Sequence, residues 1–320
     1  MDKDLIIRGL ILICLLLLLG EGLFATKYAG EIFDMGAGVR NFALGGCGVS
    51  DPNGIALAYW NAALLNKIDE NKFELMHAEE YMGLLKYDTF SAILGKKLNL
   101  GFVLTRIGIN DIPLTKLEDP DQPVSNDNRP YKYKTITNSD LVAYFGLSRK
   151  VGEYNLGFTT KLAYRSLAEE SGYGFGADVS AYYDISENWL IAARLRDFFT
   201  TQIFWANGTH EIVNPGLDLE TNYLYKIRGL SLPLKFYLRT SFYSEGREEA
   251  ATLALGFLSF DPHLGIEIGI HPQFQIFAGF DIENLTTGFS LNIKNWLINY
   301  SFEHIPELES SHRISIGFIL

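Results

Sequence analysis

Cysteine is nearly absent from this chain of 320 residues, which has only Cys14 and Cys47. Cys14 lies within an N-terminal apolar run and lacks the small residues that precede a lipidated cysteine. Cys47 then has no partner in the rest of the chain, so an intramolecular disulfide is excluded there. Something other than covalent cross-links must hold the fold together.

Basic residues are also few relative to acidic ones. There are 27 Lys and Arg against 38 Asp and Glu, which gives a formal net charge of -11 at pH 7. Recognition of phosphate groups depends on clustered Lys and Arg. The composition therefore argues against a nucleic-acid partner and against binding to an anionic membrane surface.

Long apolar runs are missing beyond the N-terminus, where no stretch reaches 18 uninterrupted apolar residues. Membrane-spanning helices are thereby excluded in that part of the chain. The one apolar run covers residues 10 to 19, follows Lys3 and Arg8, and leads to the small residue Ala25. It is short for a membrane span and matches a secretory signal peptide, so we predict that residues 1 to 25 are removed on export. An uncleaved anchor is the alternative.

Alternation with a period of two is the most abundant pattern in the sequence. Tyr (17) and Phe (22) far outnumber Trp and Met (4 each), a balance that suits pleated strands better than helices. From residue 155 to 165, even-numbered positions are mostly apolar and odd-numbered ones are small, polar or charged. A helix, with 3.6 residues per turn, cannot keep such faces together. The pattern predicts fourteen strands, near residues 72–79, 86–95, 98–108, 139–149, 153–166, 172–184, 188–197, 218–227, 232–243, 263–270, 273–281, 286–294, 296–305 and 311–320.

The connections between these strands fall into two classes. Tight turns lie at Lys96-Lys97, Lys150 to Gly152, Ile185 to Glu187, Arg228 to Ser231, His271-Pro272 and Asn295. They alternate with longer connections, which include residues 109–138, 198–217 and 244–262. Short periplasmic turns opposite long extracellular loops are typical of an up-and-down antiparallel transmembrane barrel. A soluble β-sandwich, the alternative, explains neither this asymmetry nor the export signal.

The apolar alternation over residues 251 to 257 could add a fifteenth strand, but an extra spanning strand would invert every later loop. We therefore place it above the membrane, as an extension of the neighbouring hairpin that ends at Asp261-Pro262, where proline interrupts strand pairing. The predicted fold class is all-β: a transmembrane barrel of about fourteen strands over residues 72 to 320.

Residues 26 to 71 precede the first strand and combine many Gly and Ala with scattered large apolar residues. Exposing Phe33, Phe42 and Trp60 together in water would be unfavourable. We predict that this segment, which we call the hatch, folds into the barrel lumen; a periplasmic arm outside the barrel is the alternative. Small residues let the hatch thread among lumen side chains, while Trp60 and Asn61 anchor it by packing and hydrogen bonding.

Three stretches carry a resemblance to known families. Residues 36 to 51 (GAGVRNFALGGCGVSD) and 58 to 64 (AYWNAAL) resemble the N-terminal hatch of the FadL and PorV/PorQ-like outer-membrane families, with Ala62 where those families have proline. Residues 312 to 317 (HRISIG) resemble the final strand of PorV-like proteins, which favours that branch. The resemblance implies that Arg40, Asn41, Trp60 and Asn61 are hatch residues in the lumen.

No pattern points to catalysis, a metal site or a cofactor. The glycine-rich runs at 36–38 and 172–176 complete no dinucleotide motif, and the six histidines show no zinc spacing. The acidic loop at 118–128 lacks the ordered spacing of a calcium loop. His312 and Ser315, residue types that lipid-hydrolysing barrels use, differ in strand parity and so face opposite sides. We expect neither enzymatic activity nor a bound cofactor.

Two functions remain open at this stage. The PorV/PorQ-like resemblance implies a component of the type IX protein-secretion route, working with secretion-apparatus proteins and exported cargo. The FadL-like resemblance implies passage of hydrophobic small molecules such as fatty acids, gated by the hatch. Either function places the chain in the bacterial outer membrane, with membrane lipid and the barrel-insertion machinery as partners.

The loop at 198–217 carries apolar residues that suit either function. Phe199, Phe204 and Trp205 are predicted to contact a hydrophobic ligand or a partner protein there. Burial of these side chains within the loop itself is the alternative.

Overall fold

The computed structural model describes residues 29–95, 98–226, 232–244, 247, 251–256, 258–306 and 309–320. The predicted signal peptide lies outside these ranges. Across them, no helix is long and apolar enough to cross a lipid bilayer. The described residues form seventeen strands: β1 (Asn71–Glu80), β2 (Leu85–Leu94), β3 (Leu100–Lys116), β4 (Tyr131–Val151), β5 (Tyr154–Leu167), β6 (Glu170–Ser186), β7 (Trp189–Arg196), β8 (Thr201–Trp205), β9 (His210–Val213), β10 (Gly216–Lys226), β11 (Pro233–Tyr243), β12 (Leu253–Leu255), β13 (Leu258–His271), β14 (Phe274–Asp281), β15 (Asn284–Ile293), β16 (Trp296–Ile305) and β17 (Glu309–Ile319).

Fourteen of these strands form one closed antiparallel barrel. Strands β1 to β7, β10, β11 and β13 to β17 pair in chain order, with β7 directly beside β10 and β11 beside β13. The ring closes between β1 and β17, where Phe73 lies opposite Phe318 and Glu79 opposite His312. The predicted fourteen-strand, up-and-down barrel is confirmed.

Because side chains alternate along a strand with a period of two, successive side chains lie on opposite sides of this wall. On β5, Leu156 and Leu162 are exposed on the outside, whereas Thr159 and Lys161 are buried in the lumen. The outer face is apolar around the ring, as expected of a barrel whose wall contacts lipid. The strand parity inferred for His312 and Ser315 also holds, since the first is exposed outside and the second is buried inside.

Three strands lie outside the closed ring. β8 and β9 pair with each other, and β8 also pairs with the outer part of β6, so the predicted loop at 198–217 contains a hairpin. β12 pairs only with the beginning of β13. Residues 251 to 257 therefore add no spanning strand, as predicted, although residue 257 itself lies outside the described ranges.

The expected strand break at Asp261-Pro262 is wrong. β13 begins at Leu258 and runs through both residues, which pair with β11. On the other side of β13, pairing with β12 ends at Phe260 and pairing with β14 begins at His263. Pro262 falls in the gap between these two partners, where its missing N–H interrupts no ladder of hydrogen bonds.

At one end of the barrel, which we call the short-turn end, two residues connect β4 to β5, β6 to β7, β13 to β14 and β15 to β16. Two-residue turns also occur at the opposite end, between β5 and β6 and between β14 and β15, so the predicted asymmetry holds only in part. The turns predicted at Lys96-Lys97 and Arg228 to Ser231 lie outside the described ranges. The opposite end, which we call the long-loop end, carries the cap hairpin, defined as residues 201 to 213, and the connection from β11 to β13.

The segment at 109–138, predicted as a loop, is largely strand. β3 continues to Lys116 and β4 begins at Tyr131, so the two strands project together beyond the barrel rim. Most of the side chains on this projecting part are exposed on both faces. Without a buried face, the segment has no apolar alternation from which a strand could be predicted.

The described part of the hatch, from residue 29, lies inside the barrel, as predicted. It contains three short helices, α1 (Glu31–Asp34), α2 (Val39–Ala43) and α3 (Leu57–Trp60), and a 3₁₀ helix (Ala62–Lys67). α2 packs against β14 to β17, while α3 and the 3₁₀ helix pack against β3 to β6. The largest cluster of buried apolar side chains joins the hatch to the inner wall, so the lumen is the hydrophobic core of this protein.

Candidate functional site: the hatch and the long-loop end

The hatch approaches the barrel wall where the wall has glycine. A Cβ atom added to Gly157 on β5 would lie 2.1 Å from the Ala63 nitrogen, and one added to Gly279 on β14 would lie 2.4 Å from the Gly45 nitrogen. Such distances are far inside van der Waals contact, so only glycine permits this backbone approach. The same close fit recurs at Gly146, Gly265 and Gly288. Hatch and wall are therefore matched to each other on two sides of the lumen.

Arg40, on α2, links the hatch to the wall by charge. Its Nε lies 2.7 Å from Asp51 Oδ2 in the hatch, and its Nη2 lies 2.5 Å from Glu267 Oε2 on β13. Nη2 also donates to the Tyr237 hydroxyl at 3.1 Å, and this hydroxyl donates to Glu267 at 2.9 Å. Burial alone would raise the pKa of Asp51, but the adjacent Arg40 guanidinium outweighs it and holds that pKa below its usual value. The pair is thus ionised at neutral pH.

Glu220, on β10, holds the hatch by a different arrangement. Its carboxylate accepts hydrogen bonds from the backbone N–H groups of Gly48 (2.9 Å), Val49 (2.8 Å) and Ser50 (2.9 Å), and from the Ser50 hydroxyl (2.6 Å). Successive N–H groups that point to one place form a cradle for an anion. The wall carboxylate therefore satisfies hatch backbone groups that would otherwise be buried without a partner.

Asn41, Trp60 and Asn61, the other predicted hatch residues, organise the hatch itself. Each side chain is buried and donates to a backbone carbonyl of the hatch, at 3.0, 2.6 and 2.7 Å respectively. The Asn61 side-chain oxygen also accepts from the Ala63 N–H and begins the 3₁₀ helix. Of the four predicted residues, Arg40 carries the ion pair to the wall.

A buried cluster of charges lies where β7 leaves the wall at the long-loop end. Lys161 Nζ is 2.9 Å from Asp178 Oδ1 and 2.5 Å from Asp197 Oδ1, and Arg194 is 2.6 Å from Asp178 Oδ2. Two cations thus face two carboxylates. Asp197 and Thr200 have φ angles of +52° and +69°, a left-handed conformation that is strained for β-branched threonine. The cluster fixes the point at which the chain bends into the cap hairpin.

The cap hairpin turns one face inwards. Ile203 is fully buried, and Trp205 packs against the core with the Arg165 guanidinium 5.4 Å from its ring centroid. On β9, Val213 lies against Gly30 of the hatch, where a Cβ atom would be 2.8 Å from its methyl group. The hairpin therefore covers the lumen and touches the beginning of the described hatch.

Aromatic side chains cover the opposite, outward side of this region. Phe204 is 46% exposed and stacks between Phe175, at 6.1 Å, and His210, at 4.4 Å. Phe199 is 68% exposed and touches Phe198 edge-on. The predicted loop residues are thus divided between two faces: Phe199 and Phe204 lie outside, and Trp205 lies inside.

Three side chains that hold the hatch were not predicted from the sequence, namely Glu220, Tyr237 and Glu267. Strand parity could have placed each of them on the lumen face, because each alternates with outward apolar residues. Their partners depend on the path of the hatch, which no local pattern reveals. Within the described ranges, no group of three or more His, Cys, Asp or Glu side chains is arranged to hold a metal ion.

Comparison with known proteins gives structural matches only. No family profile matches the chain, and no curated protein matches its sequence. The TodX monoaromatic hydrocarbon channel, as its deltaS2 mutant, superposes with a TM-score of 0.53 at 12% identity and covers 88% of this chain and 97% of its own. The Pseudomonas putida toluene transporter TodX gives a TM-score of 0.51 at 10% identity, with 89% and 96% covered. This likeness shows the fold alone, a closed antiparallel β-barrel that the chain shares with these two structures.

Proposed function

We propose that this chain is an outer-membrane channel for hydrophobic small molecules, closed by its hatch in the conformation described. The observation that carries the proposal is a closed fourteen-stranded barrel of the TodX fold whose lumen is filled by an N-terminal hatch. Two structures that share this fold are a monoaromatic hydrocarbon channel and a toluene transporter. A small apolar molecule is accordingly the ligand class that the fold favours.

The aromatic side chains outside the cap hairpin support a capture role. Phe199 and Phe204 expose apolar area next to the mouth of the lumen, where an apolar solute gains by leaving water. Passage beyond this point requires the hatch to move, because the wall glycines already touch it. The ion pair of Arg40 and the cradle around Glu220 are the contacts that such a movement would break.

The same proposal includes the export signal and the outer-membrane location. It also includes contacts with membrane lipid and with the barrel-insertion machinery. The apolar outer wall supports the contact with lipid. Secretion of the PorV/PorQ type stays a prediction from sequence resemblance, since the TodX structures favour the transport alternative. We assign no catalytic role to any residue.

Uptake at low concentration tests the proposal. Gram-negative cells without a hydrocarbon channel of their own, expressing this chain, should accumulate radiolabelled toluene several-fold faster than cells with an empty vector. The double variant Phe199→Ser/Phe204→Ser should lose most of this increase in uptake rate, because the substitutions make the capture surface polar and an apolar solute no longer binds there. Tyr133→Ser, which changes an exposed aromatic on the projecting β3–β4 hairpin, is the matched control and should behave as wild type.

Equal uptake with and without the chain, at verified surface expression, would refute the transport function. Recovery of the barrel in a stable complex with secretion-apparatus proteins and cargo would instead favour the secretion alternative.

A further inference from the structure

A polar cavity of about 190 Å³ lies between the hatch and the wall, towards the short-turn end of the lumen. Asn41 lines it from the hatch, Glu74 from β1 and Asn299 from β16. Lys72 and Ile319, which lie near the short-turn ends of β1 and β17, also line it. The cavity has no part in the proposed capture surface at the other end of the barrel.

Glu74 is a buried carboxylate whose hydrogen-bond partners are neutral. It is 3% exposed, and its Oε1 accepts from Asn299 Nδ2 at 2.9 Å and from the Ser315 hydroxyl at 2.6 Å. No Lys or Arg side chain that the structure describes forms an ion pair with it. A buried charge without a counter-ion is costly, so Glu74 either carries a proton or needs a cation beside it.

The cations that line the cavity are already paired elsewhere. Arg40 is shared by two carboxylates, those of Asp51 and Glu267, and Lys72 lies 3.3 Å from Glu70. Lys235, on β11, also faces Asp51 and Glu267. These three cations are therefore matched by three carboxylates before Glu74 is added, and none of them forms an ion pair with Glu74.

Two amide oxygens beside Glu74 also lack a hydrogen-bond donor. Asn41 Oδ1 and Asn299 Oδ1 are buried and unpartnered. Exchanging the oxygen and nitrogen of either amide would not solve this, because each Nδ2 already donates a hydrogen bond. Asn41 Nδ2 donates to the Cys47 carbonyl at 3.0 Å, and Asn299 Nδ2 donates to Glu74.

One of these oxygens, Asn41 Oδ1, lies close to the Glu74 carboxylate on one side of the hatch backbone. A Cβ atom added to Gly38 would lie 3.0 Å from Asn41 Oδ1 and 3.8 Å from Glu74 Oε2. Both oxygens therefore face the same small space beside Gly38. Asn299 turns its Nδ2, and not its Oδ1, to Glu74.

We propose that this cavity binds a hydrated monovalent cation, held by Glu74 Oε2 and by the amide oxygen of Asn41. Carboxylate and carbonyl oxygens are hard ligands, which suit alkali and alkaline-earth ions and not metals that prefer nitrogen or sulfur. A single unpaired carboxylate matches one positive charge. The cavity is larger than a bare ion, so water molecules complete the coordination. Because the cation bridges hatch and wall, it stabilises the closed lumen.

Crystals of the protein soaked in thallium(I) or rubidium(I) test the site directly. An anomalous peak is expected next to Glu74 in the wild type, and none is expected there in Glu74→Gln, which keeps the shape and loses the charge. Glu79→Gln, the same change at an exposed position of β1, is the matched control and should keep the peak.

Thermal unfolding in detergent gives a second measurement. At constant ionic strength, replacing choline chloride by sodium or potassium chloride should raise the unfolding temperature of wild type and Glu79→Gln by a few degrees and then saturate, and should leave Glu74→Gln unchanged. A wild-type crystal with only water beside Glu74, or an equal response of Glu74→Gln, would overturn the proposal. If Glu74→Gln does not fold, the wild-type anomalous map decides.

Discussion

At the scale of single residues, Arg40 does what no apolar contact could do, because it connects a carboxylate of the hatch to a carboxylate of the wall. Removal of one partner from a buried ion pair costs about 3–5 kcal/mol, since the remaining charge is left without compensation. An exposed ion pair is worth about 0–1 kcal/mol. The closed state of the lumen therefore depends strongly on this one side chain.

Arg40→Met should loosen the hatch without breaking the barrel. Asp51 and Glu267 would then share only Lys235 as a nearby cation, and the ion pair between hatch and wall would be lost, so the hatch should separate from β13. We expect a lower unfolding temperature and a clear rise in ion conductance across planar bilayers. Arg129→Met, in an exposed loop, is the control and should leave both quantities unchanged. Wild-type conductance and stability in Arg40→Met would show that the ion pair does not hold the hatch.

At the scale of secondary-structure elements, much of the fold could be predicted because successive side chains of a strand lie on opposite sides of the wall. The outward ones are mostly apolar and the inward ones are mostly small, polar or charged. The alternation of Lys161 with Leu162 is sufficient to orient β5, and turn chemistry limits where each strand ends. The projecting parts of β3 and β4 escaped prediction because neither face is buried. The strand break predicted at Pro262 was wrong because this proline lies between the partners β12 and β14. That position depends on strand pairing, which the local sequence does not reveal.

The contacts between elements were much harder to predict than the elements. Arg40, Asn41, Trp60 and Asn61 were recognised as hatch residues through resemblance, yet their partners were not. Glu220 meets Ser50 across 170 positions of sequence. Such a contact depends on the register of β10 and on the path of the hatch together, and neither is fixed by periodicity.

The fit between the hatch and the wall should be sensitive to a single methyl group. In Gly157→Ala the new Cβ would overlap the Ala63 backbone, so the 3₁₀ helix must move or the strand must bend. Overpacking typically costs about 1–3 kcal/mol, and we expect a lower unfolding temperature together with raised conductance.

Gly108→Ala is the matched control for this change. Its nearest neighbour would be the flexible end of Arg106, at 3.4 Å, so its properties should stay close to wild type. A Gly157→Ala protein with unchanged stability and conductance would contradict the close fit described here.

At the scale of the whole molecule, every strand of the ring has a partner on both sides, and the lumen is filled. A closed sheet of this kind has no edge at which unfolding can begin. Protein purified from outer membranes should therefore remain folded in sodium dodecyl sulfate at room temperature and migrate differently on a gel after boiling. Identical migration before and after heating, with recovery in the soluble periplasmic fraction, would rule out the membrane barrel.

The pairing of β1 with β17 also has a consequence for assembly. The ring cannot close until the final strand has been delivered, and at Gly157 and Gly279 the closed wall leaves no clearance through which a folded hatch could be inserted later. We therefore expect the hatch to lie in place while the strands pair around it. On this view the hatch is a template for the barrel, so deletion of the whole hatch should appear first as a failure of biogenesis.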